Sequence, residues 1–178
     1  SVPAGSLDAK TLFGDDRPVE LEIGFGGGEH LAARAAMDPD HGFVGCEPFL
    51  NGVVSALGHI RDQRLANVRL HMGDALDVLA RFPDASLSRV YLLHPDPWPK
   101  ARHAKRRMMN PGPVDMIAKK LKPGGEFHTH RGIISLDDVV GLAAPLRVDD
   151  ALAHGDAGSR HVAHRDDLGV DLVEVGVV

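Results

Sequence analysis

Apolar residues in the first two thirds of the chain fall into short runs that alternate with stretches of helical spacing. Val19-Glu20-Leu21-Glu22-Ile23 is an apolar-rich strand that runs directly into Gly24-Phe25-Gly26-Gly27-Gly28. Behind the glycines, Glu29 to Met37 has helical spacing, with Leu31, Ala32 and Ala35 on one face. Gly42 to Cys46 reads as a second strand ending on Glu47, and Leu50 to Arg64 as the next helix. Val68 to His71 is a third strand, followed by Gly73-Asp74-Ala75 and an amphipathic helix from Leu76 to Arg81. Ser86 to Leu93 is the fourth strand. Asn110 to Leu121 is a helix stopped by Lys122-Pro123-Gly124-Gly125, and Glu126-Phe127 begins a fifth strand. Strands alternating with helices predict an α/β doubly wound sheet, parallel through its first four or five strands.

Two places on this frame carry candidate chemistry. Strand, glycine turn and helix open a nucleotide-binding unit, because glycines let backbone approach a ligand and aim the helix amino end at it. Glu47 stands 23 positions past Gly24 at the end of the second strand, placed to hold the two hydroxyls of a ribose. Asp74 is positioned to cap the following helix, and equally to present its carboxylate to an adenine amino group. The fourth strand delivers His94-Pro95-Asp96-Pro97-Trp98-Pro99-Lys100 to the same edge of the sheet. Three prolines in five residues exclude helix and ladder alike and hold a carboxylate and an indole stiffly.

Charge changes the picture at this second place. The formal net charge of −5 argues against a general nucleic-acid binder. From Lys100 to Lys122, however, there are eight Lys or Arg and a single acid, Asp115, with Lys100, Arg102, His103, Lys105, Arg106 and Arg107 packed together. A local basic stripe on an acidic domain suits selective binding of a polyanion. The one cysteine, Cys46, excludes an intramolecular disulfide and reads as core packing rather than a nucleophile. No apolar run approaches the ~20 residues of a membrane span. Ser1 to Ser6 lacks the basic patch and apolar core of a signal peptide, so a cytoplasmic protein is the expectation; starting at Ser1 rather than Met fits a fragment or a processed chain.

Among nucleotide folds, a dinucleotide oxidoreductase would want a third glycine where Glu29 stands, and a P-loop would want Gly-Lys-Ser/Thr where Gly28-Glu29-His30 stands. An acidic loop disfavours a polyphosphate. It favours a cofactor with positive charge, and S-adenosyl-L-methionine carries both an α-ammonium and a sulfonium.

Leu21-Glu22-Ile23-Gly24-Phe25-Gly26-Gly27-Gly28, Phe43-Val44-Gly45-Cys46-Glu47-Pro48, Gly73-Asp74-Ala75, and above all Asp96-Pro97-Trp98-Pro99-Lys100-Ala101-Arg102-His103-Ala104-Lys105-Arg106-Arg107 resemble the bacterial tRNA (guanine-N7)-methyltransferases over about residues 17–127. The resemblance implies a Rossmann-like class I methyltransferase sheet, mostly parallel, with helices on both faces. It implies that Glu22, Gly24, Gly26, Glu47, Asp74 and Asp96 hold S-adenosyl-L-methionine, and that Asp96 is also the active-site acid. It further implies that Lys100 meets the target guanosine, that Arg102 to Arg107 contact tRNA, and that the protein works without metal or membrane, as a monomer or homodimer. Trp98 reads as an anchor packed under its loop. The family's basic stretch ahead of the first strand has no counterpart in Ser1 to Asp16, an amino-terminal extension.

After Phe127 the likeness stops. The family continues with a Thr-Asp pair whose acid helps hold the guanosine, where this chain has His128-Thr129-His130-Arg131. Residues 128–178 contain no Phe, Tyr, Trp, Lys, Asn, Gln, Met or Cys, yet eight Asp and nine Val. That composition favours a reading-frame shift near codon 127 in a GC-rich gene over a divergent carboxyl lobe. Leu136 to Leu146 resembles a helix and Val170 to Val178 a strand in an otherwise loosely packed tail. His128-x-His130 and His161-x-x-His164 lack the Cys or acid spacing of a metal site. The alternative to an active enzyme is an impaired remnant that binds cofactor and tRNA but lacks the guanosine clamp.

Overall fold

A computed structural model describes residues 2–94, 108–130 and 132–135. Alternating elements build one six-stranded sheet: α1 (Ala9–Phe13), β1 (Val19–Ile23), α2 (Glu29–Met37), β2 (Gly42–Glu47), α3 (Leu50–Asp62), β3 (Val68–Met72), α4 (Ala75–Leu79), β4 (Leu87–Leu92), α5 (Pro111–Lys120), β5 (Leu121–Thr129) and β6 (Gly132–Ser135). The strand order is β3-β2-β1-β4-β5-β6. The first five strands are parallel and β6 is antiparallel to β5. This is the Rossmann-like arrangement expected, and the order reverses between β1 and β4, where such sheets open a ligand crevice.

The two faces of the sheet differ. On one, Leu21, Ile23, Val44, Cys46, Val90, Leu92 and Phe127 pack into a continuous apolar core with Leu12 of α1, Val78 and Leu79 of α4, and Val114 and Ile117 of α5. On the other, α2 and α3 lay Leu31, Ala35 and Ala56 over Phe43 and Val68. That second apolar cluster covers β2 and β3; across β1, β4 and β5 the same face is polar, as the next subsection describes.

Element bounds deviate from the sequence reading where backbone geometry intervenes. α3 ends at Asp62, two residues short of Arg64, because Arg64 takes a left-handed φ of 54° that no helix continues. α5 ends at Lys120 rather than Leu121, and Lys122-Pro123-Gly124-Gly125 lies inside β5 instead of between helix and strand: Leu121 pairs Leu87 and Glu126 pairs Arg89, so the four intervening residues form an irregularity in the strand. β6 and α1 are additions to the expected elements. Phe127 pairs with Ile134, which is 6% exposed, and Leu12 of α1 is buried in the core. The expected helix at 136–146 and strand at 170–178 lie outside the described residues. No helix among the described residues is long and apolar enough to cross a membrane.

Asn67, at the entry to β3, donates its side-chain amide to the carbonyls of Ala35, Asp38 and His41, tying the end of α2 to the start of β2. Cys46 is buried on β2, and desolvation, with the nearby Asp74 charge adding to it, pushes its thiol up to about 12. In the folded chain Cys46 is therefore expected to resist an aromatic disulfide reagent at pH 8 and to react with one equivalent once unfolded in urea. Fast labelling of the native chain would contradict a packing role.

Candidate active site

The carboxyl ends of β1, β2 and β3 meet around one carboxylate. Glu47 is 6% exposed; its Oε2 accepts the Gly26 N–H at 3.0 Å and its Oε1 accepts the Phe49 N–H at 3.1 Å. Its own carbonyl accepts the Gly73 N–H at 3.2 Å. One residue thus joins the loops that follow all three strands, and each carboxylate oxygen keeps a second acceptor position. The glycine loop is shaped for close approach. Gly24 N–H donates to the Cys46 carbonyl at 2.8 Å, and a Cβ added to Gly24 or Gly26 would meet no other group within 4 Å. Gly26 sits at a φ of 56°, where any other residue would be strained. Open space therefore lies in front of a bare backbone at the switch point.

Asp74 caps the following helix, as the sequence suggested, with one of its two oxygens. Its Oδ1 accepts the Leu76 N–H at 2.9 Å as the cap of α4, while Oδ2 has no hydrogen-bond partner among the described residues and the side chain stays exposed. Glu22, one residue before the end of β1, is 4% exposed. Its Oε2 accepts from His30 Nδ1 at 2.8 Å, and its Oε1 has no partner among the described residues. A nearly buried carboxylate with a vacant oxygen beside a glycine loop suits a ligand that brings a donor or a positive charge.

Glu22 belongs to a polar ladder across the sheet. Register places Glu20, Arg89 and Glu126 in one row, and Glu22, Tyr91 and His128 in the next. Glu20 is fully buried. It accepts from Tyr91 Oη at 2.7 Å, His41 Nδ1 at 2.6 Å and Arg89 Nη1 at 2.9 Å, with Arg34 Nη2 at 3.7 Å. Burial pushes the Tyr91 hydroxyl well above its ordinary pKa, and its bond to Glu20 adds to that. His128 and Arg89 both donate to Glu126 Oε2 and hold its carboxyl below the usual range. Glu20, Asp38 and His41 bring ligand-type atoms within 4.8 Å of one another. The Arg34 and Arg89 guanidinium groups already supply the positive charge there.

Of the residues expected at the site, the sheet brings Glu22, Gly24, Gly26, Glu47 and Asp74 to one edge. Asp96, Trp98, Lys100, Arg102, His103, Lys105, Arg106 and Arg107 lie outside the described residues. His94, which leads into them, ends the described part of the β4 exit. The sequence reading missed Gly52, His30 and Tyr91. Gly52 had a signal: a glycine inside a helix is costly unless something presses on it. A Cβ there would strike the Gly26 carbonyl oxygen and come within 2.9 Å of Glu47 Cγ.

The family model described as "Putative methyltransferase" matches residues 16–136. The chain is 66% identical over 122 residues to a tRNA (guanine-N(7)-)-methyltransferase of Zymomonas mobilis, a match covering 68% of this chain and 53% of that protein. It is 67% identical over 128 residues to the tRNA (guanine-N(7)-)-methyltransferase of Sphingopyxis alaskensis, covering 69% and 54%. The chain belongs to the methyltransferase family that this model describes. Like these two, the tRNA (guanine-N(7)-)-methyltransferase of Novosphingobium aromaticivorans is 65% identical over 133 residues, 71% of this chain and 56% of that one. The chain thus spans about half the length of the curated relatives it matches. Within this methyltransferase family the match runs past Phe127 to residue 136, taking in β6.

Three substitutions test the geometry. Gly52→Ala favours the helix intrinsically by about 1 kcal/mol, yet it is expected to lower stability by roughly 1–3 kcal/mol in urea unfolding, because the added methyl overpacks the glycine loop. Glu20→Ala is expected to cost about 3 kcal/mol or more by leaving Tyr91, His41 and Arg89 without their buried acceptor. Glu126→Gln, at a carboxylate 39% exposed, should cost less than about 1 kcal/mol; the opposite ranking would refute the ladder's asymmetry.

Proposed function

We propose that the chain binds S-adenosyl-L-methionine at the carboxyl edge of β1, β2 and β3 and transfers its methyl group to N7 of a guanosine in tRNA. The observation that supports this most is the acidic lining of that edge. Glu22 Oε1 and Asp74 Oδ2 are without hydrogen-bond partners among the described residues, Glu47 retains acceptor capacity, and bare glycine backbone faces open space. A polyphosphate would meet repulsion here. An adenosine with a ribose diol and a cationic amino-acid end would meet acceptors suited to each part: Asp74 for the adenine amino group, Glu47 for the ribose hydroxyls, Glu22 for the ammonium end, and Gly24 and Gly26 for close approach. The family relatives carry the same reading to the substrate.

S-adenosyl-L-methionine supplies an electrophilic methyl group on a sulfonium. Guanine N7 exposes a lone pair and loses no proton on methylation, so attack needs no general base. The chain's work is to align the two, where positioning alone is worth ~7–11 kcal/mol, and to place negative charge where positive charge develops. Asp96, four residues past β4, is assigned to that second task and to the cofactor. Lys100 is assigned to the target guanosine. Arg102, His103, Lys105, Arg106 and Arg107 are assigned to tRNA phosphates, whose recognition is salt dependent. A tRNA substrate puts the activity in the cytoplasm.

The test is transfer of a labelled methyl group from S-adenosyl-L-methionine to unmodified tRNA, with the product nucleoside identified. We expect 7-methylguanosine from the native chain and none from Asp96→Ala, whose cofactor affinity should be weakened at most. Cofactor binding without turnover would instead mark an impaired remnant. Full activity in Asp96→Ala would remove that residue from the mechanism.

A further inference from the structure

His30 is the second residue of α2 and stands two positions past the last glycine of the loop, Gly28. Its Nδ1 lies 2.8 Å from Glu22 Oε2, so the imidazole donates there and settles which carboxylate oxygen stays vacant. The ring is held from the side as well. Tyr91 meets it edge to face at 5.0 Å between centroids, and the His128 ring from the next strand lies tilted against Tyr91 at 4.7 Å. Tyr91 is fixed in turn by the hydrogen bond from its hydroxyl to the buried Glu20. The imidazole therefore has one supported pose, and that pose commits Oε2.

A carboxylate on a strand can swing about its last torsion, which is broad. With Oε2 pinned, Glu22 presents Oε1 in a single orientation without ordering cost when a ligand arrives. The side chain is nearly buried, so a wrongly turned or wandering carboxylate would also lose its one hydrogen bond.

We propose that His30 is a positioning residue: it orients Glu22 toward the cationic amino-acid end of the methyl donor, backed by Tyr91. This rests on the reading of the site as an S-adenosyl-L-methionine pocket. It predicts that His30 matters only for ligands that carry the amino-acid end, although His30 need not touch the ligand.

The decisive experiment is calorimetric titration of the chain with two probes, S-adenosylhomocysteine and 5′-methylthioadenosine, which share the adenosine but differ in the amino-acid end. For His30→Ala we expect affinity for S-adenosylhomocysteine to fall about tenfold, the effect of losing one hydrogen bond to a charged group, and affinity for 5′-methylthioadenosine to stay within about twofold of native. His30→Asn keeps an N–H near the Nδ1 position but has no ring, and should restore most of the S-adenosylhomocysteine affinity. Equal loss for both probes, no loss in His30→Ala, or failure of His30→Asn to rescue would each overturn the proposal; a ring that merely packs on Tyr91 predicts the last. Should the native chain bind neither probe, the cofactor reading itself falls and takes the proposal with it, an outcome visible before any variant is made.

Discussion

Two carboxylates on a central strand with no exposed residue must be compensated, and much of the sheet is arranged around that requirement. β1 is buried at all five positions, yet Glu20 and Glu22 occupy two of them. Burying an unpaired charge costs several kcal/mol, so partners have to come from every neighbour: Tyr91 and Arg89 from β4, His30 and Arg34 from α2, His41 from the start of the β2 segment. The two acids then diverge in use. Glu20, at the amino-terminal half of β1, is saturated and structural, whereas Glu22, at the ligand edge, is left one oxygen short.

The same division runs along the strand ends. Glu47 is locked by backbone donors from two loops, which makes it a structural joint as well as an acceptor. Gly52 lets α3 come down onto that joint, and Gly26 lets the loop turn there without a side chain in the way. Asp74 splits its two oxygens between a helix cap and the open edge. At Glu47 and Asp74 a side chain that stabilises the fold also offers unused hydrogen-bonding capacity, so the bonds that orient these acceptors are made by the fold itself.

Most of this frame was legible in the sequence because strand, glycine turn and helix repeat with strong punctuation. β1, α2 and the starts of β2, α3, β3, α4, β4 and α5 were readable, to within a residue, from apolar runs bounded by Gly and Pro. Glu47 was readable because it combines a strand end with a set distance from the glycine loop. Glu22 was not: the alternation Val-Glu-Leu-Glu-Ile looks the same whether its polar face meets water or a ladder of partners, and only the resemblance singled it out. His30 and Tyr91 gave no signal, since their partners lie on other strands and a helical histidine is ordinarily a surface residue. β6 escaped because four residues with two isoleucines sit in a stretch whose composition reads as a tail. The start of β5 escaped because Pro123 and Gly124 end a helix convincingly while hiding the irregularity that keeps Leu121 in the sheet.

Sheet order also carries a timing consequence. Ser88 bonds the carbonyl of Val19 across 69 positions of sequence, so the central strand cannot be flanked on both sides until β4 has been made and has returned. At about 5–20 residues per second a ribosome needs on the order of 3 to 14 s to cover that distance. Throughout that interval Glu20 lacks Tyr91 and Arg89. A nascent chain therefore cannot give that buried carboxylate its full set of partners until β1 pairs with β4.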